Sequence, residues 1–421
     1  MVSQNVLNLV DTAMVGVLGP TSLAAVGIGG FANFMTTAVI IGLASGVQTM
    51  VARRKGEERI SELAVPLSGG LLLALAIGLP LAFVMYHAAP SLFSLLNSDP
   101  GVIDEGVPYF QVRVMAAVAV GMNFSFRGYW AGVGLTRLYL RTLLIMHFAN
   151  IVLNYLLIFG KFGFPELGSL GAGLATTLSV YLGTGIYFFL ALRRAREQGF
   201  LRGLPGQETM KTMIRLAVPA ALQQFLFASG MTCLFWIIGL VGTPEVAAAN
   251  VLSTLMLVAM LPALGLGLVG LTLTGEALGR GEPEAAKQWG WDVAKVALVF
   301  ITLLALPALI IPDLILAGFL HEPELINIAR APLRLTAATI IFDAIGVVLM
   351  NALLGAGAAR QVMVVATVSQ WMVGLPLAYL AGPVLGYGLL GVWLCLGGYR
   401  VLQSGIFAAL WAKGKWADIK I

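Results

Sequence analysis

The sequence has few charged residues, and this shortage excludes a water-soluble protein. Of its 421 residues, 11% are Asp, Glu, Lys or Arg, whereas 59% are hydrophobic. Soluble domains carry about 25% charged residues, so more than half of an ordinary soluble surface is missing. The mean hydropathy of +0.92 agrees with this. The apolar runs are continuous and do not alternate, so they predict an all-α polytopic membrane protein.

Cysteine and histidine are scarce too, and their placement excludes several chemistries. The two cysteines, Cys233 and Cys395, lie in apolar runs, so we expect neither a disulfide framework nor a thiolate metal site. The three histidines are too far apart to form a His-x-x-x-His metal pair. No Gly-rich loop ends in Lys-Ser or Lys-Thr, which excludes ATP hydrolysis by that route. We therefore expect no metal and no cofactor apart from H⁺ or Na⁺ as a coupling ion.

The apolar runs predict twelve transmembrane helices. A span needs about 20 apolar residues, and polar, Gly or Pro breaks separate twelve such segments. The segments are 1–19, 22–53, 62–86, 102–132, 138–160, 168–192, 215–242, 245–275, 286–312, 325–356, 361–382 and 385–412. The first starts at Met1 without a polar flank, so we expect the chain to begin inside its first helix.

Basic residues predict the orientation and the domain organisation. Lys and Arg gather on loops of one parity and in the tail, whereas acids gather on the opposite parity. The positive-inside rule then predicts a multi-pass protein of a bacterial inner membrane with both termini in the cytoplasm. A basic cytoplasmic linker, 193–214, separates an N-lobe, 1–192, from a C-lobe, 215–421. The net charge of +5 is explained by these loops, and we expect no nucleic acid partner.

The two halves resemble each other at an offset of 223 residues. Pro100 corresponds to Pro323, and Gly132 corresponds to Gly355; such residues mark turns. Six spans is an even number, so the halves are parallel repeats of the same orientation. Folds of this kind hold substrate at the repeat interface and move by rocking one bundle against the other. This favours a secondary transporter, although duplicated bundles also occur in channels and membrane enzymes.

Two acids fall deep inside predicted spans, Asp11 and Asp343. A charged carboxylate at the bilayer centre costs several kcal/mol, which it avoids by binding a proton, by pairing or by facing water. Each Asp is therefore a candidate proton carrier, and the alternative for each is a structural hydrogen bond to a neighbouring helix.

Three predicted helix faces in the first half are polar. Spacings of three, four and seven residues place side chains on one helix face, and polar faces in lipid are expected to converge. Their carboxylate, amide and hydroxyl oxygens suit a hard monovalent cation or a proton relay. The residues on these faces are Gln4, Asn8 and Asp11 in the first span, His147, Asn150 and Asn154 in the fifth, and Thr176 in the sixth.

Further polar residues are candidates for lining a substrate cavity. Arg400 lies in the twelfth span and needs an anionic or carbonyl partner; a structural pair, snorkelling and substrate contact all stay open. His147 fits an interhelical hydrogen bond as well as a proton role. The candidates for a substrate cavity are Gln4, His147, Gln223, Gln224 and Arg400.

Several stretches, taken in order, resemble signatures of the multidrug and toxic compound extrusion (MATE) family. The first matches the family's first helix, the second the end of its second helix, and the others its fifth, sixth and tenth helices. The stretches are Asn8–Gly19, Val51–Glu57, Asn150–Tyr155, Gly171–Thr176 and Asp343–Val348.

The resemblance implies twelve helices in two six-helix lobes around a central cavity. It also implies export of organic, often cationic and amphipathic compounds, driven by inward H⁺ or Na⁺. The family's N-lobe cation site corresponds to Asp11, Asn150, Asn154 and Thr176, and Asn8 lies one turn before the acid. Asn154 stands where some members carry Asp.

The second half departs from one branch of the family. That branch carries a Glu in the seventh helix, where this chain has Phe227, whereas the branch's tenth-helix acid is retained as Asp343. The sequence therefore looks closer to the DinF-like branch, in which the N-lobe acid dominates.

We expect a monomeric antiporter that exchanges small organic substrates for H⁺ rather than Na⁺ by a rocker-switch motion, with membrane lipid as its surroundings. A flippase for lipid-linked saccharides is the alternative with the same fold. It would need a basic cluster in the cavity, and Arg400 is the one deep basic candidate. A membrane enzyme is disfavoured, because no nucleophile–base pair or metal-ligand set is visible in the spans.

Overall fold

The computed structural model describes residues 10–320 and 322–421, and this part of the chain is almost entirely helical. Within it no residue forms a β-strand. The helices are α1 (10–16), α2 (Pro20–Gly56), α3 (Val65–Leu96), α4 (Pro100–Met115), α5 (Ala117–Gly132), α6 (Thr136–Phe159), α7 (Gly168–Arg194), α8 (Gln207–Gly239), α9 (Thr243–Gly279), α10 (Pro283–Ile310), α11 (Pro312–Ala317), α12 (Pro323–Gly355), α13 (Ala359–Val368), α14 (Leu375–Tyr379) and α15 (Gly388–Lys413).

Ten helical segments of the described chain are long and apolar enough to cross a membrane. This confirms the all-α polytopic class. The predicted fourth span, 102–132, is not one helix, because α4 and α5 meet at Ala116. The Ala116 N–H bonds to the Arg113 carbonyl, three residues back, at 3.1 Å. This tighter turn ends the α-helical pattern, and no Pro or Gly at the break announced it.

The predicted eleventh span, 361–382, is helical but contains two π-helical turns. These turns, Ser369–Gly374 and Leu380–Val384, flank the short α14. A π turn adds a residue to the turn and re-aims the side chains that follow. Here Gln370 and Trp371 both donate to carbonyls of α8, at 3.3 and 3.1 Å.

The described chain forms two compact units. The first contains the residues up to Lys55 together with Arg59–Ala221, and the second contains Gly56–Glu58 and Leu222–Ile421. Helix α8 already begins inside the predicted linker, 193–214, because the apolar pattern starts later than the helix itself. The division into lobes of six helices each stays a prediction.

The offset of 223 residues recurs in helix packing inside each unit. In the first unit, a Cβ added to Gly132 would lie 3.1 Å from the Gln48 carbonyl oxygen of α2. In the second unit, a Cβ added to Gly355 would overlap the Leu271 carbonyl of α9. Both pairs of residues differ by the same offset, so each half uses a glycine to bring corresponding helices together.

Close packing brings α1, α6 and α7 together in the first unit. Gly171 of α7 lies so near α6 that an added Cβ would be 2.5 Å from the Leu157 carbonyl oxygen. Val15 of α1 is fully buried in a cluster with Ile158 of α6 and Ala172 of α7. This packing holds the three helices that carry the polar residues of the first half.

We predict that Gly171→Ala lowers the free energy of unfolding by about 1–3 kcal/mol, because the new methyl group meets backbone atoms that cannot move aside. Thermal denaturation of the purified protein in detergent measures this loss. Gly185→Ala on the same helix is the matched control, since nothing lies within 4 Å of a Cβ there. Equal melting temperatures for the two variants would contradict the close approach of α6 and α7.

Candidate functional site

Four predicted residues of the first half form one hydrogen-bonded network, which we call the Asp11 network. Asn154 Nδ2 donates to Asp11 Oδ1 at 2.6 Å and to Asn150 Oδ1 at 3.1 Å. Asn150 Nδ2 lies 3.1 Å from Thr176 Oγ1. The network therefore joins α1, α6 and α7 through side chains that the sequence placed on separate polar faces.

A half-turn of the Asn150 amide satisfies more of these groups. In that orientation its nitrogen donates to Asp11 Oδ1 at 2.9 Å. Its oxygen then accepts from the Thr176 hydroxyl at 3.1 Å and from the Thr176 backbone N–H at 3.3 Å. Because the network decides how an amide is oriented, the Asp11 carboxylate can receive N–H groups from both asparagines.

The Asp11 network is largely shielded from solvent. Asn150 is 1% exposed and Asn154 is fully buried. Asn154 Oδ1 is a buried acceptor that has no hydrogen-bond partner among the described residues. Since buried polar atoms are normally paired, this oxygen is available to a proton donor or to a small cation.

Sequence analysis missed one charged neighbour of this network. The Arg113 guanidinium of α4 interacts electrostatically with the Asp11 carboxylate, and its Nε is buried without a hydrogen-bond partner in the described chain. The notable sequence signal was a basic residue inside a predicted span. The pattern of one sequence does not connect two helices, so it did not place Arg113 beside Asp11.

The other candidates of the first half stand outside this network or outside the described residues. His147 is 8% exposed and lies on α6, one turn before Asn150. Gln4 and Asn8 lie outside the described residues.

The candidates of the second half gather at one cavity of about 200 Å³. Its lining contains all four polar residues that the sequence singled out there: Gln223, Gln224, Asp343 and Arg400. It also contains residues that sequence analysis did not propose for a site. Gln403, three residues after Arg400 on α15, could have been found from helical periodicity. Thr367 of α13 could not, because the fold alone brings it there.

Asp343 and Arg400 form a buried ion pair at this cavity. Arg400 Nη1 donates to Asp343 Oδ2, and the two side chains are 13% and 7% exposed for Arg400 and Asp343 respectively. The Phe227 ring lies 5.9 Å from Arg400 Cζ, within the range of a cation–π interaction. The structure thus supplies the anionic partner that sequence analysis left open for Arg400.

The two sites have different chemistry. The Asp11 network presents one carboxylate to neutral amide and hydroxyl groups, so it suits a proton or a hard monovalent cation. The second cavity presents a carboxylate already paired with a guanidinium, beside methionine and aromatic side chains. It therefore suits an organic molecule rather than a bare ion.

Curated relatives of this chain are named as multidrug resistance proteins. The probable multidrug resistance protein NorM of Thermotoga maritima is 26% identical over 99% of this chain and 90% of its own length. NorM of Burkholderia vietnamiensis is 29% identical over 93% of this chain and 86% of its own length. MdtK of Yersinia pseudotuberculosis is 27% identical over 90% of this chain and 84% of its own length.

Solved structures share the fold. An outward-facing multidrug resistance MATE family transporter of the MOP superfamily has a TM-score of 0.89 at 22% identity, over 99% of this chain and 93% of its own. A MOP superfamily transporter from Pyrococcus furiosus has a TM-score of 0.88 at 22% identity, over 100% and 94%. The MatE family model matches residues 1–156 and 219–380. Since these ranges make up most of the chain, the protein belongs to the MatE family.

Proposed function

We propose that this protein is a proton-coupled antiporter that exports organic, cationic or amphipathic compounds by alternating access. The observation that carries the proposal is the hydrogen bond from Asn154 to Asp11 inside an apolar helical unit. A carboxylate in a span is costly and normally marks an ion or proton pathway. The relatives named as multidrug resistance proteins support the export of small organic compounds.

The Asp11 network can satisfy the carboxyl group in both protonation states. When Asp11 is ionised, the Asn154 amide nitrogen donates to it. When Asp11 is protonated, its O–H needs an acceptor, and the unpartnered Asn154 Oδ1 provides one once that amide turns over. A rotation of one buried amide therefore accompanies proton binding and release, and no other ion is needed.

A proton fits this site better than Na⁺ does. The network contributes one carboxylate, since Asn154 supplies a neutral amide where some MATE proteins carry Asp. The Asn154 N–H already lies 2.6 Å from the oxygen that a cation would bind. A metal ion would have to displace that donor and gather several oxygens around itself, whereas a proton adds to the carboxylate without doing either.

The energy available from protons is sufficient for export. One elementary charge moving down a membrane potential releases about 2.3 kcal/mol per 100 mV. Each pH unit across the membrane adds about 1.4 kcal/mol per proton. A single proton per cycle at 100 mV and one pH unit thus supplies about 3.7 kcal/mol, enough for a concentration ratio of several hundred.

The proposal includes a location and an orientation. We place the protein in a bacterial inner membrane as a monomer, with both termini in the cytoplasm, because the Lys- and Arg-rich loops share one parity. No cofactor is needed, because the coupling ion and its gradient supply the energy.

We predict that Asp11→Asn abolishes gradient-driven efflux and leaves substrate binding in place, because the variant keeps the shape of the side chain and loses its titrating group. Efflux from proteoliposomes under an imposed pH gradient measures the first effect, and equilibrium binding measures the second. Asp292→Asn is the control, since this acid is exposed and pairs with Lys295. Efflux by Asp11→Asn at the control's rate would overturn the assignment.

We also predict that Asn154→Leu lowers the free energy of unfolding by about 2 kcal/mol, because a hydrogen bond to a buried charged group is worth about 1.5–3 kcal/mol. In the Asp11→Asn background the same change should cost less, since the charge is gone. A double-mutant cycle by denaturant titration measures the difference. Ser179→Ala, whose hydroxyl bonds the Ala175 carbonyl of its own helix, should cost the same in both backgrounds. Equal costs for Asn154→Leu would show that the charged bond is absent.

A further inference from the structure

Arg400 has one buried donor that the ion pair does not use. Its Nη1 donates to Asp343, but its Nε is buried and has no hydrogen-bond partner among the described residues. An unpaired buried N–H costs free energy, and such groups in folded proteins call for an explanation. A bound ligand with an acceptor atom would complete this donor, because Arg400 lines the cavity of the second unit.

A second unpartnered polar atom lines the same cavity. Thr367 Oγ1 is buried and, within the described chain, makes no hydrogen bond. Most other buried threonines return their hydroxyl to a carbonyl of their own helix, as Thr336 does with Pro332 at 2.9 Å. Thr367 therefore offers a free O–H donor at the same cavity as the Arg400 Nε–H.

The charge of the cavity does not favour a cation. Asp343 and Arg400 are the two charged members of the lining, and they compensate each other. A cationic ligand would find the carboxylate already engaged by the guanidinium. A ligand with a carboxylate or carbonyl group would meet no net negative charge and would gain the two unused donors.

The rest of the lining sets the size and body of the ligand. Met256, Met260 and Met350 share the wall with the rings of Phe227 and Phe407. Methionine side chains adapt to irregular apolar shapes, and aromatic faces stack on planar groups. A cavity of about 150 Å³ can hold benzene, so the present cavity of about 200 Å³ suits one or two rings.

We propose that this cavity binds small aromatic compounds that carry a carboxylate or carbonyl group, with Arg400 Nε–H and the Thr367 hydroxyl as the donors to that group. The Asp343–Arg400 pair holds the guanidinium in place and keeps the site neutral. As a statement about exported substrates the proposal rests on the proposed function. As a statement about binding it does not, because no gradient is involved.

Two naphthalene probes of opposite charge test the proposal. The purified full-length protein in detergent is titrated with 1-naphthoate and with 1-naphthylmethylammonium by equilibrium dialysis, and uptake by empty micelles is subtracted. The two probes share one ring system, so they differ mainly in the group that meets Arg400. We expect at least tenfold tighter binding of 1-naphthoate. Equal affinities, or tighter binding of the cation, would overturn the proposal.

Removing the ion pair locates the site. In the double variant Asp343→Asn/Arg400→Gln no lone buried charge is left, and 1-naphthoate should bind at least tenfold more weakly. The matched control is Asp313→Asn/Arg330→Gln, which removes an exposed Asp–Arg pair of the same unit and should leave both affinities unchanged. Unchanged 1-naphthoate affinity in the Asp343→Asn/Arg400→Gln variant would refute the assignment.

A milder variant covers the case in which the double variant does not fold. Thr367→Val removes the hydroxyl and keeps the ion pair, so we expect 1-naphthoate to bind about threefold to tenfold more weakly and the cation to bind as before. Thr302→Val is the control, since its hydroxyl bonds the Leu298 carbonyl of its own helix at 2.7 Å. Equal affinities of Thr367→Val and Thr302→Val for 1-naphthoate would exclude the hydroxyl as a donor. Failure of gradient-driven efflux with intact naphthoate binding would reject the transport proposal alone.

Discussion

The first unit depends on the hydrogen bond between Asn154 and the Asp11 carboxylate. A carboxylate in an apolar helix is unstable alone, so three helices must bring polar partners to it. The backbone contact of Gly171 with Leu157 and the burial of Val15 against α6 and α7 make this meeting possible. Packing at small and apolar residues thus fixes the geometry in which proton chemistry is possible.

The two units treat their acids in different ways. Asp11 is surrounded by neutral amides whose orientation can change, so its charge can change too. Asp343 is paired with Arg400, which supplies a permanent positive charge. The internal repeat preserves the glycine contacts at Gly132 and Gly355 but not this chemistry. We therefore assign ion coupling to the first unit and recognition of an organic ligand to the second.

Sequence reasoning succeeded where the signal lies within one helix. Long apolar runs located the spans, and the spacing of Asn150 and Asn154 placed both amides on one face of α6, where the structure finds them buried. It failed where the signal lies between helices or in backbone detail. Ala116 breaks a uniformly apolar stretch without Pro or Gly, and the π turn at Ser369–Gly374 depends on contacts with α8. The partner of Arg400 is 57 residues away in the chain, so only the fold reveals it.

The central claim is that Asp11 exchanges a proton, and the ion dependence of transport tests it most directly. In proteoliposomes the efflux of a fluorescent organic cation is measured under an inward pH gradient in Na⁺-free buffer, and separately under a Na⁺ gradient at equal pH. The account predicts efflux in the first condition, its collapse on addition of a protonophore, and no efflux in the second. Efflux that requires millimolar Na⁺ and persists with the protonophore while the Na⁺ gradient is held would contradict it.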